Sequence, residues 1–171
     1  MGPVLAMAWG GDGHLATGGW GSARLPPLVR VSADGCFRPG LADEAWQGAY
    51  VPALAWAPGG ELLFGLERAD APGRLMLLGE QGGPVRSFGN GEAFTCDDPG
   101  ARPTVRAVHC SGDGTMLVGG RFDARHAVRC PGLVRMDMDG LVDTTFNAGL
   151  DHGGTVVGIH PLDDGSIIVH A

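Results

Sequence analysis

Hydrophobic residues fall into short runs separated by glycine-containing turns, and the pattern recurs about every fifty residues along the chain. Four segments align without gaps, beginning at Val4, Val51, Val105 and Val156. In each segment an apolar run, a tight turn and a second apolar run follow one another. A period of this length predicts a repeat architecture, such as a solenoid, a propeller or an array.

Glycines mark the turns of the repeat. One glycine column follows the first apolar run of all four units, and a second column lies in the other half of the first three: Gly13, Gly60, Gly114, Gly165, then Gly35, Gly82 and Gly140. Asp-Gly between apolar runs is typical of a hairpin with a type I′ turn, in which both central residues have positive φ. Two hairpins per unit give four short strands, the content of a propeller blade.

Both faces of the predicted strands are apolar. In the first strand, Val4 and Ala6 are expected on one face, and Met7 and Trp9 on the other. A sheet with one wet face would alternate apolar with polar residues, so the pattern favours sheets stacked face to face. We predict an all-β fold: a β-propeller-like array of four-stranded antiparallel blades, about three and a half in number. The single domain spans residues 1–171, with blades at about 4–50, 51–104, 105–155 and a half blade at 156–171.

An open arc of blades predicts association. Its terminal blades would expose apolar faces, and surfaces of this kind mark interaction sites. We therefore expect a protein partner, in a homo-oligomer or as one subunit of a larger assembly. Two copies of three and a half units would sum to seven blades.

Charge and composition limit the classes of partner that we expect. The net charge is −7, lysine is absent and the twelve arginines form no run, so a nucleic-acid partner is not expected. No segment has the pattern of a signal peptide or the length of a membrane span. We predict no membrane insertion and favour a cytoplasmic or virion-associated location.

Three aspartates form the best candidate for a metal site. Asp137, Asp139 and Asp143 surround a predicted turn and could offer oxygen ligands to Ca²⁺. The alternative is structural, with Asp139 in the hairpin turn and Asp143 paired with Arg135. Since the other units lack the set, we favour the alternative and predict no metal and no cofactor.

Three further pairs of residues share a column of the repeat, and each has a functional and a structural interpretation. His109 and His160 would be neighbours at a site or core histidines. Arg30 with Arg135, and Trp9 with Trp56, would bind a ligand or pack within the sheets. Cys96 and Cys130 lie in insertions, where a disulfide is conceivable, but spacing alone does not decide it.

Residues 105–171 carry the most specific pattern. The strings Asp139-Gly-Leu-Val-Asp-Thr-Thr-Phe146 and Gly119-Gly-Arg-Phe122 resemble the delta-60 repeat, a β-propeller-type repeat of bacterial proteins. Residues 4–41 and 51–88 match more loosely. The resemblance implies the fold and an occurrence in bacterial surface, secreted or phage-related proteins, and it implies no catalytic residue set.

These observations predict a non-catalytic structural or assembly protein, such as a phage tail or baseplate component or a bacterial surface component, and not an enzyme. The alternative is a ligand- or glycan-binding propeller that uses the least repetitive segments, Asn90–Pro103 and Phe122–Pro131. A hydrolase that uses Asp137, Asp139 or His109 ranks last, because nothing sets an acid and a base at a defined separation.

Overall fold

The computed structural model describes residues 3–22, 26–38, 46–79, 82–88, 94–150 and 154–171. Within these ranges nearly all regular structure is β-strand, arranged in several antiparallel sheets, which confirms the predicted all-β class. No helix of the described residues has the length and apolar character needed to span a membrane.

The first two units each form a four-stranded sheet with its strands in chain order. Sheet 1 contains β1 (Val4–Trp9), β2 (Leu15–Gly19), β3 (Leu28–Val31) and β4 (Phe37–Arg38). Sheet 2 contains β5 (Tyr50–Trp56), β6 (Leu62–Arg68), β7 (Ala71–Leu78) and β8 (Pro84–Ser87).

Two segments that interrupt the repeat, one before the third unit and one within it, pair with each other. They contribute β9 (Phe94–Thr95), β12 (Ala124–Arg125) and β13 (Val128–Arg129), which form an insertion sheet in the order β13-β12-β9. The buried Arg125 guanidinium donates to the carbonyls of Phe88 and Gly140, both at 3.3 Å, and lies 4.8 Å from the Phe94 ring centroid. These contacts fix the insertion sheet to its neighbours, and the burial lowers the pKa of Arg125.

The third and fourth units have fewer strands. Sheet 3 contains β10 (Thr104–Cys110), β11 (Thr115–Arg121) and β14 (Leu133–Asp137), and sheet 4 contains β15 (Gly158–Pro161) and β16 (Ile167–His170). The expected fourth strand of sheet 3 is reduced to one bridge between Met136 and Val142. Directly after it, the Asp143 carboxylate accepts the Thr145 amide at 2.8 Å, which turns the chain away from the sheet.

All seven turn glycines have φ between 79° and 88°. Each closes the same three-residue loop, as in the third unit, where Gly114 N–H donates to the Ser111 carbonyl and Ser111 N–H to that of Thr115. The expected type I′ turn is wrong, because only the glycine has positive φ. Aspartate recurs before the glycine for another reason: Asp113 Oδ1 accepts the Thr115 amide at 2.9 Å, and Asp12, Asp34 and Asp164 make the same bond.

The sheets pack face to face in chain order. Strands β1 and β2 contact β5, then β5, β6 and β7 contact β10, and β10 and β11 contact β15. Between sheets 1 and 2 the core contains Val51, Leu54 and Phe64; between sheets 2 and 3 it contains Leu63, Val105 and Met116. A small cluster of Ala107, Leu133 and Val156 joins sheets 3 and 4.

A β-bulge near the start of the first strand changes which residues share a face. The register shifts between Val4 and Ala6, and again at the matching places in β5 and β10. A bulge adds one residue to a strand and reverses the alternation beyond it. As a result Val51 lies on the same face as Leu54, and the expectation that the valine column shares a face with the alanine column is wrong.

The turn geometry makes a prediction about two glycines of one loop. Gly114 has φ of +84°, whereas Gly112 has no positive φ, and a methyl group on either would meet no atom within 4 Å. Gly114→Ala should lower the free energy of unfolding by about 1–2 kcal/mol, since a Cβ strains the left-handed backbone. Gly112→Ala is the matched control and should be neutral or slightly stabilising. Urea unfolding measures both, and equal effects would contradict the assigned loop.

Candidate functional site

Each inter-sheet contact uses a glycine in the second strand of one sheet and a valine at or just before the start of the first strand of the next sheet. A methyl group on Gly18 would lie 2.5 Å from Cγ1 of Val51, and one on Gly119 would lie 2.5 Å from Cγ1 of Val156. On Gly65 it would lie 2.7 Å from the Val105 carbonyl oxygen. Only glycine permits so close an approach. We call the face of a sheet that bears this valine its leading face, and the face that bears the glycine its trailing face.

The leading face of sheet 2 is covered by sheet 1. Val51 and Leu54 are buried there. Trp56 donates its indole N–H to the Ala8 carbonyl at 3.1 Å, and the Arg30 guanidinium lies 5.2 Å from the Trp56 ring centroid. The valine, leucine and tryptophan columns therefore form one packing surface in this unit.

The same three columns are uncovered in sheet 1. Val4 is 54% exposed, Met7 67% and Trp9 72%. The adjacent Leu5 is exposed as well. The structure thus presents, on the leading face of sheet 1, an apolar surface equivalent to one that is buried in sheet 2.

The trailing face of sheet 4 differs from those of the other sheets. Ile168 is 54% exposed, whereas its column is buried in the first three units at Ala16, Leu63 and Leu117. His170 stands in the glycine column and pairs across the strands with Gly158. His160 and His170 are both exposed, so this face is more polar than the leading face of sheet 1.

A polar cluster joins the first three sheets at one end. The rings of Trp20 and Tyr50 stack at 4.6 Å with an interplanar angle of 18°. The Tyr50 hydroxyl donates to Glu67, whose Oε1 lies 3.1 Å from Nε of Arg106. Arg106 also donates to the Tyr50 hydroxyl at 3.2 Å, with its guanidinium 5.5 Å from the ring centroid.

Burial dominates the electrostatics of this cluster. The Glu67 side chain is only 3% exposed, which raises the pKa of its carboxyl, while Tyr50, Arg106 and the Val105 amide oppose that rise. Burial also raises the pKa of Tyr50. This cluster was not predicted from the sequence. Its one signal there is a column near the end of the second strand that holds Trp20 in the first unit and Glu67 in the second.

The aspartates of the metal candidate have separate partners. Asp137 accepts the amides of Asp139 and Leu141, both at 2.9 Å, and Asp139 pairs with Arg86 at 2.7 Å. Asp143 pairs with Arg135 at 2.7 Å, and hydrogen bonds from Thr145 together with this pair lower its pKa to about 2. Among the described residues no three His, Cys, Asp or Glu side chains gather as metal ligands.

The remaining candidates make local contacts. Cys96 and Cys130 are free thiols. Burial raises the pKa of Cys130 to about 11 and that of Cys110 to about 12, so these thiols are neutral at pH 7 and poor nucleophiles. Burial lowers the pKa of His109. Arg30 pairs with Asp12 at 3.0 Å, as Arg135 does with Asp143.

Two clefts border the insertion sheet. One, of about 330 Å³, is lined by residues that include Cys130, Thr144 and Phe146. The other, of about 250 Å³, lies between Cys96 and Asp123. Parts of both segments considered for ligand binding, 90–103 and 122–131, line these clefts.

Comparison with known proteins bears on the fold alone. No protein-family model matches the chain, and no curated protein matches it. The chain is similar to a crystal structure, the extracellular domain of a putative one component system from B. thetaiotaomicron, with a TM-score of 0.62 and 14% identity. The similarity covers 97% of this chain and 20% of that one, so this chain spans about a fifth of its length. The resemblance to the delta-60 repeat stays a prediction.

The glycine contact makes a prediction about sheets 3 and 4. Gly119→Ala should lower the free energy of unfolding by about 1–3 kcal/mol, because its methyl group would overlap Cγ1 of Val156. Val156→Ala removes that Cγ1 atom. The double variant should therefore lose less than the sum of the single losses, by roughly 1 kcal/mol.

Gly11→Ala is the control for this cycle, because a methyl group there meets no atom within 4 Å. Thermal or urea unfolding of the four variants gives the coupling. Strict additivity of Gly119→Ala and Val156→Ala would contradict the direct contact between the two sheets.

Proposed function

We propose that the chain is a non-catalytic assembly protein that binds other proteins, including further copies of itself, through the leading face of sheet 1. The observation that carries the proposal is the exposure of Val4, Met7 and Trp9 in columns that are packed against a neighbouring sheet in sheet 2. A surface built for sheet packing and left uncovered within the chain is complementary to a further sheet.

The arrangement of the sheets supports a propeller-like array as the framework. First strands β1, β5, β10 and β15 contact one another in succession, and each internal contact repeats the glycine and valine pair. Equivalent contacts between successive units are what blades placed about an axis would make. In this proposal the sheets are blades, and the partner's sheet continues the array or closes against it.

Burial of the exposed side chains supplies the driving force. Covering Met7 and Trp9 contributes about 1.5–3 kcal/mol each, before the cost of association is subtracted. The biological setting that we infer, a phage tail or baseplate or a bacterial surface, rests on the resemblance to the delta-60 repeat. The proposal assigns the chain no reaction, since the candidate carboxylates are occupied by arginines and backbone amides.

Charge on the leading face should abolish association. The variant Met7→Glu with Trp9→Glu should sediment as a single chain of 17.6 kDa, while the wild type should form a heavier particle. The cause is the cost of burying two carboxylates in an apolar contact. Leu141→Glu is the control, because Leu141 is exposed away from this face and its change should leave the particle intact. A wild-type protein that is a monodisperse single chain at micromolar concentration would contradict the proposal.

A second candidate function is glycan binding at the polar cluster. Trp20 is 51% exposed although it stacks on Tyr50, and Arg106 is partly exposed beside it. An aromatic face with hydrogen-bond donors at its edge suits a sugar ring, whose apolar face can stack while its hydroxyls accept.

This second candidate makes its own prediction. Trp20→Ala should abolish reproducible binding on a glycan array, because the stacking platform is lost. Trp9→Ala is the control, since it removes an indole that is more exposed than Trp20, at 72% against 51%, and that belongs to the leading face of sheet 1 rather than to the polar cluster. Equal binding by the wild type and Trp20→Ala, or no binding by the wild type, would rule out this function.

A further inference from the structure

A substitution within the repeat distinguishes sheet 4 from the other sheets. In sheets 1, 2 and 3 a cross-strand pair on the trailing face joins alanine to glycine: Ala6 with Gly18, Ala53 with Gly65, and Ala107 with Gly119. In sheet 4 the same pair joins Gly158 to His170. In sheet 4 the glycine of the pair is therefore in the first strand, and the His170 imidazole occupies the position against which a further sheet would pack.

The internal contacts show why this exchange matters. Even a single Cβ in the glycine column would come within 2.5–2.7 Å of the next sheet. The imidazole of His170 adds five ring atoms beyond that Cβ. The neighbouring column carries Ala8, Ala55 and His109 in sheets 1 to 3 and the exposed His160 in sheet 4. Because sheet 3 packs against sheet 4 although it carries His109, His170 is the residue that distinguishes sheet 4. The trailing face of sheet 4 therefore lacks the close-approach surface on which each leading face inside the chain rests.

Head-to-tail stacking of copies would need that surface. It would bring Val4 of one copy against His170 of the next, in a heterologous contact that makes rings or open filaments. The steric conflict at His170 removes this arrangement. A second copy must therefore reach the leading face of sheet 1 with another part of its surface.

The leading face of sheet 1 is itself the best match. Nine large hydrophobic residues of the described chain are exposed, and four of them lie together on or beside this face: Val4, Leu5, Met7 and Trp9. Val157, Leu162 and Ile168 lie in or beside sheet 4, where the exposed His160 and His170 share the trailing face with Ile168. Asp12, in the turn that follows β1, is paired with His14 and Arg30, so its carboxylate adds no unpaired charge beside this face. Apposition of two such faces about a two-fold axis is isologous and closes without leaving an open end.

We propose that two copies of this chain associate leading face to leading face, and that His170 prevents head-to-tail stacking. This inference rests on the proposed function, from which it takes the use of the leading face. It adds that the partner on the leading face is a second copy of the chain, related to the first by a two-fold axis. The resulting dimer does not join its units into one continuous array of seven blades.

Cross-linking tests the geometry directly. In a Cys36→Ser background, which removes the exposed native thiol, Met7→Cys alone should give a cross-linked dimer with a short bis-maleimide. Ile168→Cys alone should give none. A mixture of the two variants should yield no link between positions 7 and 168 by mass spectrometry. Abundant 7-to-168 links would overturn the inference and establish head-to-tail contact.

Substitution at His170 provides the second test. His170→Gly restores the glycine column, so a trailing face should compete with a second leading face for the same partner. When His170→Gly is added to both cysteine variants, the mixture should therefore yield links between positions 7 and 168. His170→Ala is the matched control: it removes the ring but keeps the Cβ, so it should yield no such links. Absence of 7-to-168 links with His170→Gly would contradict the role given to His170.

The proposed function and the two-fold arrangement are contradicted by different results. If wild type and all variants are single chains, both the proposed function and this inference are wrong. If Met7→Glu with Trp9→Glu disrupts the particle while the cross-links join positions 7 and 168, the leading face is used and only the two-fold arrangement is wrong.

Discussion

The separation between neighbouring sheets is set by the contact of a glycine with the first valine of the next sheet. At Gly18, Gly65 and Gly119 there is no room for a single additional carbon atom. This close approach lets the columns beyond it meet as well, so that Leu54 is buried and the Trp56 indole reaches the Ala8 carbonyl. Packing at this density makes each sheet depend on the one before it.

The same constraint explains why the two flanks of the chain differ. A leading face carries the apolar side chains that pack against a neighbouring sheet, and on sheet 1 these side chains are exposed. A trailing face receives a neighbour only where it carries glycine, and on sheet 4 it carries His170. The binding capacity that we propose is therefore concentrated on one side of the molecule.

Much of the fold could be predicted from the sequence, because the repeat fixes the strands and the turn glycines fix the hairpins. The predictions that were wrong depend on local backbone geometry. The bulge after Val4 reversed the assignment of faces, and the Asp143 turn removed the fourth strand of sheet 3. The cluster of Tyr50, Glu67 and Arg106 was missed, because the cross-strand pair of Tyr50 and Glu67 is completed by Arg106 from the next sheet. The alignment shows that His170 replaces a glycine, but the steric effect of this replacement follows only from the distances between the sheets.

The central claim is that the Met7 side chain is buried when the protein is assembled. Methyl NMR of the intact protein with a soluble paramagnetic agent measures this directly, with the buried Met116 and Met136 methyl groups as internal references. The account predicts that at assembling concentrations the Met7 methyl group is protected to the same degree as these two, and that dilution exposes it. A Met7 methyl group that relaxes as a solvent-exposed one at every concentration would contradict the account.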